Sequence, residues 1–434
     1  MGANVLSSTL ELMETNAERL QWENIGKQVQ DAKDVKLNET SVVKNLESGS
    51  NYKFLGIKES VMQDEKQALK EAAKVYFRRL SVIWTSPLSD FNRVLATNQF
   101  ALPALTYPMW TQHWPLAELR DIDRQTRKII CENGGRHPLS SIAVLYLPRE
   151  KGGRGLRAIE QEYKLIKIKA AVKLYESLDP KMKSVQQFEE CAIPNRRTRD
   201  SYQRYALKKH IKKVVNEKLV KKVEDQQWQG GLLKARWQDN QLSLENCLAW
   251  LNKWHCAPTH CIAGIMELYE QLTPTKVYMA YKTGITDKND VKCRMCGEGP
   301  ESMAHVLAGC PSLAQSKYLE RHNFAFKVFF FEMLKDLKLA DFTPPWFSDV
   351  KPKPLYKSPD AEAYWDLPVD ADHTYVQSNR VDARFIDHKN KKVFMVDMSC
   401  PWINNGDKKD KEKTKKYGSL RLELTKQHPG FKIS

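Results

Sequence analysis

The stretch Cys293–His322 reads CRMCGEGPESMAHVLAGCPSLAQSKYLERH. Within it, Cys293, Cys296, His305 and Cys310 follow the spacing C-x2-C-x8-H-x4-C. Two cysteines two residues apart can pinch one ion from a tight turn, and Gly297 and Gly299 supply that turn. The later histidine and cysteine close a tetrahedron of soft and borderline donors, which suits a structural zinc ion. Four protein ligands leave no open coordination position, so this site is expected to hold shape rather than do chemistry. The bland alternative is four scattered buried residues. The spacing, in a chain poor in cysteine, favours zinc.

Working outward, 434 residues allow two to four domains, and 41% hydrophobic residues are enough for packed cores. Against 53 Asp+Glu stand 69 Lys+Arg, a formal charge of +16. That excess points to a polyanionic partner, nucleic acid first, with plain solubility charge as the alternative. Nine cysteines with no dense framework point to a reducing compartment. No apolar run is long enough to span a bilayer, and the N-terminus lacks a signal-peptide core. No membrane association is expected. Met1-Gly2 opens like a myristoylation site, but Leu6 stands where Ser or Thr is wanted.

Most of the chain reads as helix. Leu10, Met13 and Leu20 suit one short helix, and Tyr52–Ile57 suits a strand ending in a tight turn. Helix patterns follow from Asp64 to about Ile83, from Ser89 (as N-cap) to Leu102, and from Leu116 to Cys131. The last carries Arg120, Arg124, Arg127 and Lys128 on one face, either solvated surface or a phosphate track. Ser140–Leu147 reads as a strand or a buried helix turn, and leads into Gly152-Gly153-Arg154-Gly155. Such glycines let a backbone approach a phosphate, with Arg154 as its cation, although the spacing is no nucleotide-binding fingerprint. From Tyr202 to Val223, Leu207, Ile211, Val214 and Val215 recur at helical spacing. Lys208, Lys209, Lys212, Lys213, Lys221 and Lys222 fill much of the remainder, a face for nucleic-acid backbone or for water. Trp228, Trp237, Trp250 and Trp254 read better as core anchors than as base-stacking platforms. Phe324–Leu337 is an apolar helix, and the proline-rich stretch 340–375 reads as a linker or irregular loop.

The last stretch changes character. Val381–Ile386 and Lys392–Ser399 are two short strands around the polar turn His388–Lys391. A hairpin with Asp382 on one strand and Asp397 at the end of the next can bring two carboxylates together, as Mg²⁺ needs. On the charged helix expected from Asp407 to Gln427, Lys413, Lys416, Tyr417, Leu420 and Leu424 share a face. Buried leucines there would aim Lys413, Lys416 and Tyr417 at the sheet edge. Metal-assisted hydrolysis needs such carboxylates and a cation for the phosphate charge. The alternative is an ordinary hairpin with surface aspartates and a lysine-rich helix.

These stretches together resemble the C-terminal part of a non-LTR retrotransposon Pol polyprotein. Tyr52–Ile57 is similar to the strand just after the polymerase palm, and Tyr146–Arg149 with Gly152–Leu156 to the segment after the thumb. Cys293, Cys296, His305 and Cys310 resemble the CCHC knuckle of elements that carry a restriction-like endonuclease, and Arg321-His322-Asn323 the basic motif just beyond it. Asp382 and Asp397 resemble the acidic positions of that PD-(D/E)xK-like nuclease, and Lys413, Lys416 and Tyr417 its displaced K-x-x-K-Y helix motif. Order and spacing agree throughout.

The resemblance implies a mainly α, multidomain chain. The end of a palm would cover 1–57, a helical thumb 58–156, a basic helical linker 157–286, and a CCHC zinc knuckle 287–316. A small α/β restriction-like endonuclease would cover 317–434, with further nuclease core expected after Ser434. It implies DNA and RNA as partners, together with the upstream polymerase segment of the same polyprotein. The protein would act in the nucleus after synthesis in the cytoplasm. Arg321 and His322 would help grip nucleic acid, Asp382 and Asp397 would hold Mg²⁺, and Lys413 or Lys416 would replace the lysine usual after the second acid. Departures accompany it. The chain has no Asp-Asp pair, so no polymerisation is expected from it alone, Val381 replaces a frequent proline, and Ser399 stands at the usual lysine position. The rival readings are a zinc-containing nucleic-acid-binding module with a dead nuclease, and a decayed copy of such an element.

Overall fold

In the C-terminal hairpin, successive residues point to opposite sides, as strand geometry requires. In a computed structural model of the chain, Ala383–Asp387 pairs antiparallel with Lys392–Val396. Phe385 faces one helix and Ile386 another. The structure describes residues 65–183, 204–228, 230–239 and 243–434, with Asn38 and short strand segments between 35 and 59. The expected helix over Leu10–Leu20 lies outside the described residues, as do Tyr202, Leu55 and Gly56.

The chain divides into two units, Met1–Leu272 and Thr273–Ser434. In the first, two small antiparallel hairpins pair Val35–Lys36 (β1) with Val42–Val43 (β2), and Tyr52–Phe54 (β3) with Ile57–Glu59 (β4). The rest of the unit's described secondary structure is helical. Glu65–Thr85 (α1), Asp90–Ala96 (α2), Leu116–Glu132 (α3) and Ile159–Tyr175 (α4) share one core around Trp84, Leu80, Leu119, Ile130 and Tyr163. Ser89 caps α2 by accepting the N–H of Asn92. The expected boundary at 156/157 falls inside this core, because Leu156, Ile159, Tyr163 and Ile166 pack with α1 and α3. A second core gathers Val144, Leu147, Val223, Leu233 and Ile262. Trp237 and Trp250 pack against it, as expected of anchors.

The second unit joins the Cys293–Cys310 segment to a five-stranded sheet. The strands are Leu355–Lys357 (β5), Ala361–Trp365 (β6), Ala383–Asp387 (β7), Lys392–Val396 (β8) and Lys432–Ile433 (β9), in that spatial order. All pairs are antiparallel except β8 with β9. Leu319–Asp336 (α5) covers one face through Phe326, Phe330, Phe331 and Leu334 against Ala363, Ala383 and Phe385. Phe330 lies 5.2 Å from Phe385 and edge-on to Trp365 at 5.0 Å. Truncating such a fully buried ring to alanine costs about 3–5 kcal/mol. The other face packs Ile386, Val393 and Ile433 against Tyr417, Leu420 and Leu424.

The stretch expected as a linker holds β5 and β6. Ser358–Asp360 turns between them, with Ser358 accepting the N–H of Ala361, so Pro359 occupies the turn and leaves the strands intact. The expected single helix over 407–427 is two, Gly406–Lys416 (α6) and Gly418–Gln427 (α7), separated at Tyr417. At the turn between β7 and β8, Asp387 accepts the backbone N–H of Asn390 at 2.9 Å and its side-chain amide at 2.7 Å. Lys391 there adopts a left-handed φ of 51°.

Candidate functional site

The metal cluster is built from a turn and a short helix. Cys293 N–H donates to Gly299 O at 2.8 Å, and Gly297 N–H to Cys293 O at 2.8 Å. Gly297 takes a left-handed φ of 71°, which glycine adopts without a steric penalty. A Cβ on Gly299 would come within 3.2 Å of the His305 ring. His305 stands in the first turn of Met303–Ala308 (a one-and-a-half-turn helix), whose cap Ser302 accepts the His305 N–H at 3.2 Å. The buried Glu301 carboxylate ties the base of the turn, accepting the Arg294 N–H and guanidinium and the Lys276 N–H.

The four ligand atoms lie within 4.8 Å of one another. Cys293 Sγ and Cys310 Sγ are 3.9 Å apart, and Cys296 Sγ is 3.3 Å from His305 Nε2. A tetrahedron with Zn–S bonds of about 2.3 Å puts sulfurs roughly 3.8 Å apart, so these donors fit around one ion. Backbone N–H groups of Glu298 and Gly299 hydrogen-bond the Cys296 thiol and help hold it down at about 6, against the opposing effect of burial. Burial pushes the Cys310 thiol up. Among the described residues this is the one place where three or more His, Cys, Asp or Glu side chains converge at ligand distance. It can hold a metal ion such as zinc.

The second cluster sits where β7 and β8 meet α5 and α6. Ala383 and Val396 are directly paired, and Asp382 and Asp397 are the next residues beyond that pair, near enough for the Asp397 charge to act on Asp382. Asp382 Oδ2 accepts the Met398 N–H at 2.6 Å and lies 3.1 Å from His322 Nε2. Burial pushes the Asp382 carboxyl up, the Asp397 charge adds to this, and His322, the Met398 N–H and Lys413 oppose it. Asp397 is ion-paired with Lys413 and accepts the Tyr417 hydroxyl at 3.2 Å. Lys413 Nζ also donates to Met398 O at 2.6 Å. Lys416 Nζ donates to the Tyr417 hydroxyl at 2.8 Å, and that bond, with the charges of Asp397 and Asp382, holds the amine up against burial. The expected catalytic residues Asp382, Asp397, Lys413, Lys416 and Tyr417 thus form one connected group. Two converging carboxylates beside the Met398 carbonyl make a hard oxygen donor set of the kind Mg²⁺ takes.

The expected nucleic-acid contacts fare differently. Arg154 is 3% exposed, ion-paired with Asp90 and bonded to Gly135 O at 2.7 Å. The N–H groups of Gly152, Gly153, Arg154 and Gly155 all bond to carbonyls of residues 144–149, and a Cβ on Gly153 would strike Leu147 O at 2.1 Å. Neither the guanidinium nor the turn is open to a phosphate, so the expected binding role of Arg154 is corrected to an internal cross-link. Arg321 Nη1 donates to Leu307 O at 2.8 Å, and Nη2 lies 3.5 Å from Cys400 O. His322 belongs to the acidic cluster, a contact that sequence reasoning missed. Lys212 and Lys213 are exposed on Arg204–Glu224, which also carries Lys208 and Lys209. On α3, Arg120 is bonded to Glu160, Arg124 to Asp121, and Arg127 to the Tyr146 hydroxyl, while the Arg120 and Arg124 side chains stay 62% and 77% exposed.

No family model matches this chain, and no curated protein matches it either. Among the described residues no helix is long and apolar enough to cross a membrane.

Proposed function

We propose that this chain is part of a retrotransposon reverse transcriptase–endonuclease polyprotein, and that its second unit is a Mg²⁺-dependent DNA-nicking endonuclease. The observation that carries the reading is the convergence of Asp382, Asp397 and Lys413 at the open end of the β7–β8 hairpin. Bound Mg²⁺ would supply Lewis-acid polarisation and a more acidic water. Asp382 and Asp397 would hold it, with the Met398 carbonyl alongside. Lys413 balances the carboxylates and would turn to the phosphate as negative charge builds on it. Tyr417, held by Lys416, keeps Asp397 in orientation.

In this reading zinc occupies Cys293, Cys296, His305 and Cys310 and fixes the segment that precedes α5. DNA and RNA are the partners, met through exposed cations such as Lys212 and Lys213, in the nucleus and beside an upstream polymerase segment. The test is nicking of supercoiled plasmid by the zinc-loaded chain with Mg²⁺, beside Asp397→Ala. Cleavage by the wild type alone supports the enzyme. Salt-sensitive DNA binding with no cleavage by either leaves the binding module instead.

A further inference from the structure

His322 was expected to grip nucleic acid, yet its ring is turned inward. Nε2 lies 3.1 Å from Asp382 Oδ2 and 3.2 Å from Met398 O, and both are acceptors. The tautomer protonated at Nε2 donates to this pair, and Nδ1 lies 3.0 Å from Asn323 Oδ1. The ring stacks on Phe326 at 5.8 Å, one turn along α5, and Phe326 is 1% exposed in the core under the sheet. The imidazole is thus fixed from behind by a core side chain. The turn that bears it is fixed from the other side. Arg321 bonds to Leu307 O, and the Tyr318 hydroxyl lies 3.0 Å from His305 O, 2.8 Å from Val306 O, and accepts the Cys310 N–H at 3.0 Å.

We propose that His322 is a positioning residue that fixes the Asp382 carboxylate and the Met398 carbonyl for a divalent cation. The inference deepens the nuclease reading and rests on it for the identity of the ion. Groups that orient a ligand from behind typically change metal affinity by about 10–100-fold when removed. A phosphate-gripping histidine would instead change DNA affinity and leave the ion untouched.

The experiment measures Mn²⁺ binding by electron paramagnetic resonance on the full, zinc-loaded chain, with the Asp382→Asn/Asp397→Asn double variant as the baseline. His322→Ala is expected to weaken Mn²⁺ binding about 10–100-fold. His322→Gln, whose amide can reach the Nε2 position, is expected to recover most of it. Zinc content and the melting temperature of each variant report folding, and the recovery by glutamine separates positioning from collapse. On plasmid, kcat is expected to fall in His322→Ala with KM for DNA unchanged. Unchanged Mn²⁺ affinity in His322→Ala overturns the proposal, as does a wild type that takes up no Mn²⁺ above the baseline. Mn²⁺ binding that depends on His322, in a chain that never nicks DNA, removes the nuclease reading and leaves the positioning role standing.

Discussion

Lys413 is ion-paired with Asp397 and, through the same ammonium, donates to the Met398 carbonyl at 2.6 Å. One cation therefore bridges the second acid and the backbone oxygen next to it. Replacing Lys413 with alanine is expected to lower the nicking rate about 10²–10³-fold, the scale for losing one charge-stabilising group. Single-turnover cleavage of supercoiled plasmid reads this directly. A Lys413→Ala chain that cuts at the wild-type rate would take Lys413 out of the mechanism.

The sulfur cluster predicts a stoichiometry and a stability. The purified chain is expected to carry one zinc per molecule by elemental analysis. Because structural zinc binding is itself folding free energy, removal by chelator is expected to lower the melting temperature of the second unit. Cys310→Ala should do the same without chelator, since Cys310 is 1% exposed and the neighbouring Tyr318 hydroxyl is bonded to its N–H.

Acid should attack the second unit through Glu423. This fully buried carboxylate accepts the N–H groups of Asp372 and His373 and the side chains of His373 and Gln427. Burial acts to raise it, but those bonds prevail and hold it at about 2, below the ordinary 4.5. A depressed carboxyl contributes stability above 4.5, and that contribution declines as pH falls towards about 2. Melting curves of Glu423→Gln between these limits should be flatter in pH than those of the wild type. Parallel curves would remove Glu423 as the titrating group.

In the first unit, Asp90→Ala leaves the buried Arg154 guanidinium without its counter-charge. Breaking such a pair costs about 3–5 kcal/mol, readable by urea unfolding. Nucleic-acid affinity of the folded fraction should stay unchanged, because Arg154 never reaches solvent.

What could be read from the chain was local. The four metal ligands span eighteen residues and carry their own turn glycines, so spacing alone placed them. The hairpin was legible from alternation, and the α6 and α7 face from the recurrence of Tyr417, Leu420 and Leu424. What failed depended on distant partners. His322 and Asp382 are 60 residues apart, and no periodicity links them. Arg154 looked like a surface cation because its counter-charge, Asp90, lies 64 residues away. β5 and β6 hid behind flanking prolines, and β6 is a short Ala-Glu-Ala-Tyr-Trp run without a β-branched residue.

The turn at Asp387–Lys392 acts as a ruler for chemistry at the far end of its two strands. With Asn390 held by Asp387 and Lys391 left-handed, the loop admits one count of residues. Ile386 then meets Val393, Ala383 meets Val396, and Asp382 and Asp397 follow directly beyond that last pair. A single residue inserted there would slip one strand against the other and send its acid to the opposite face. The spacing of the carboxylates is thus set about five residues away, by a turn that touches neither of them.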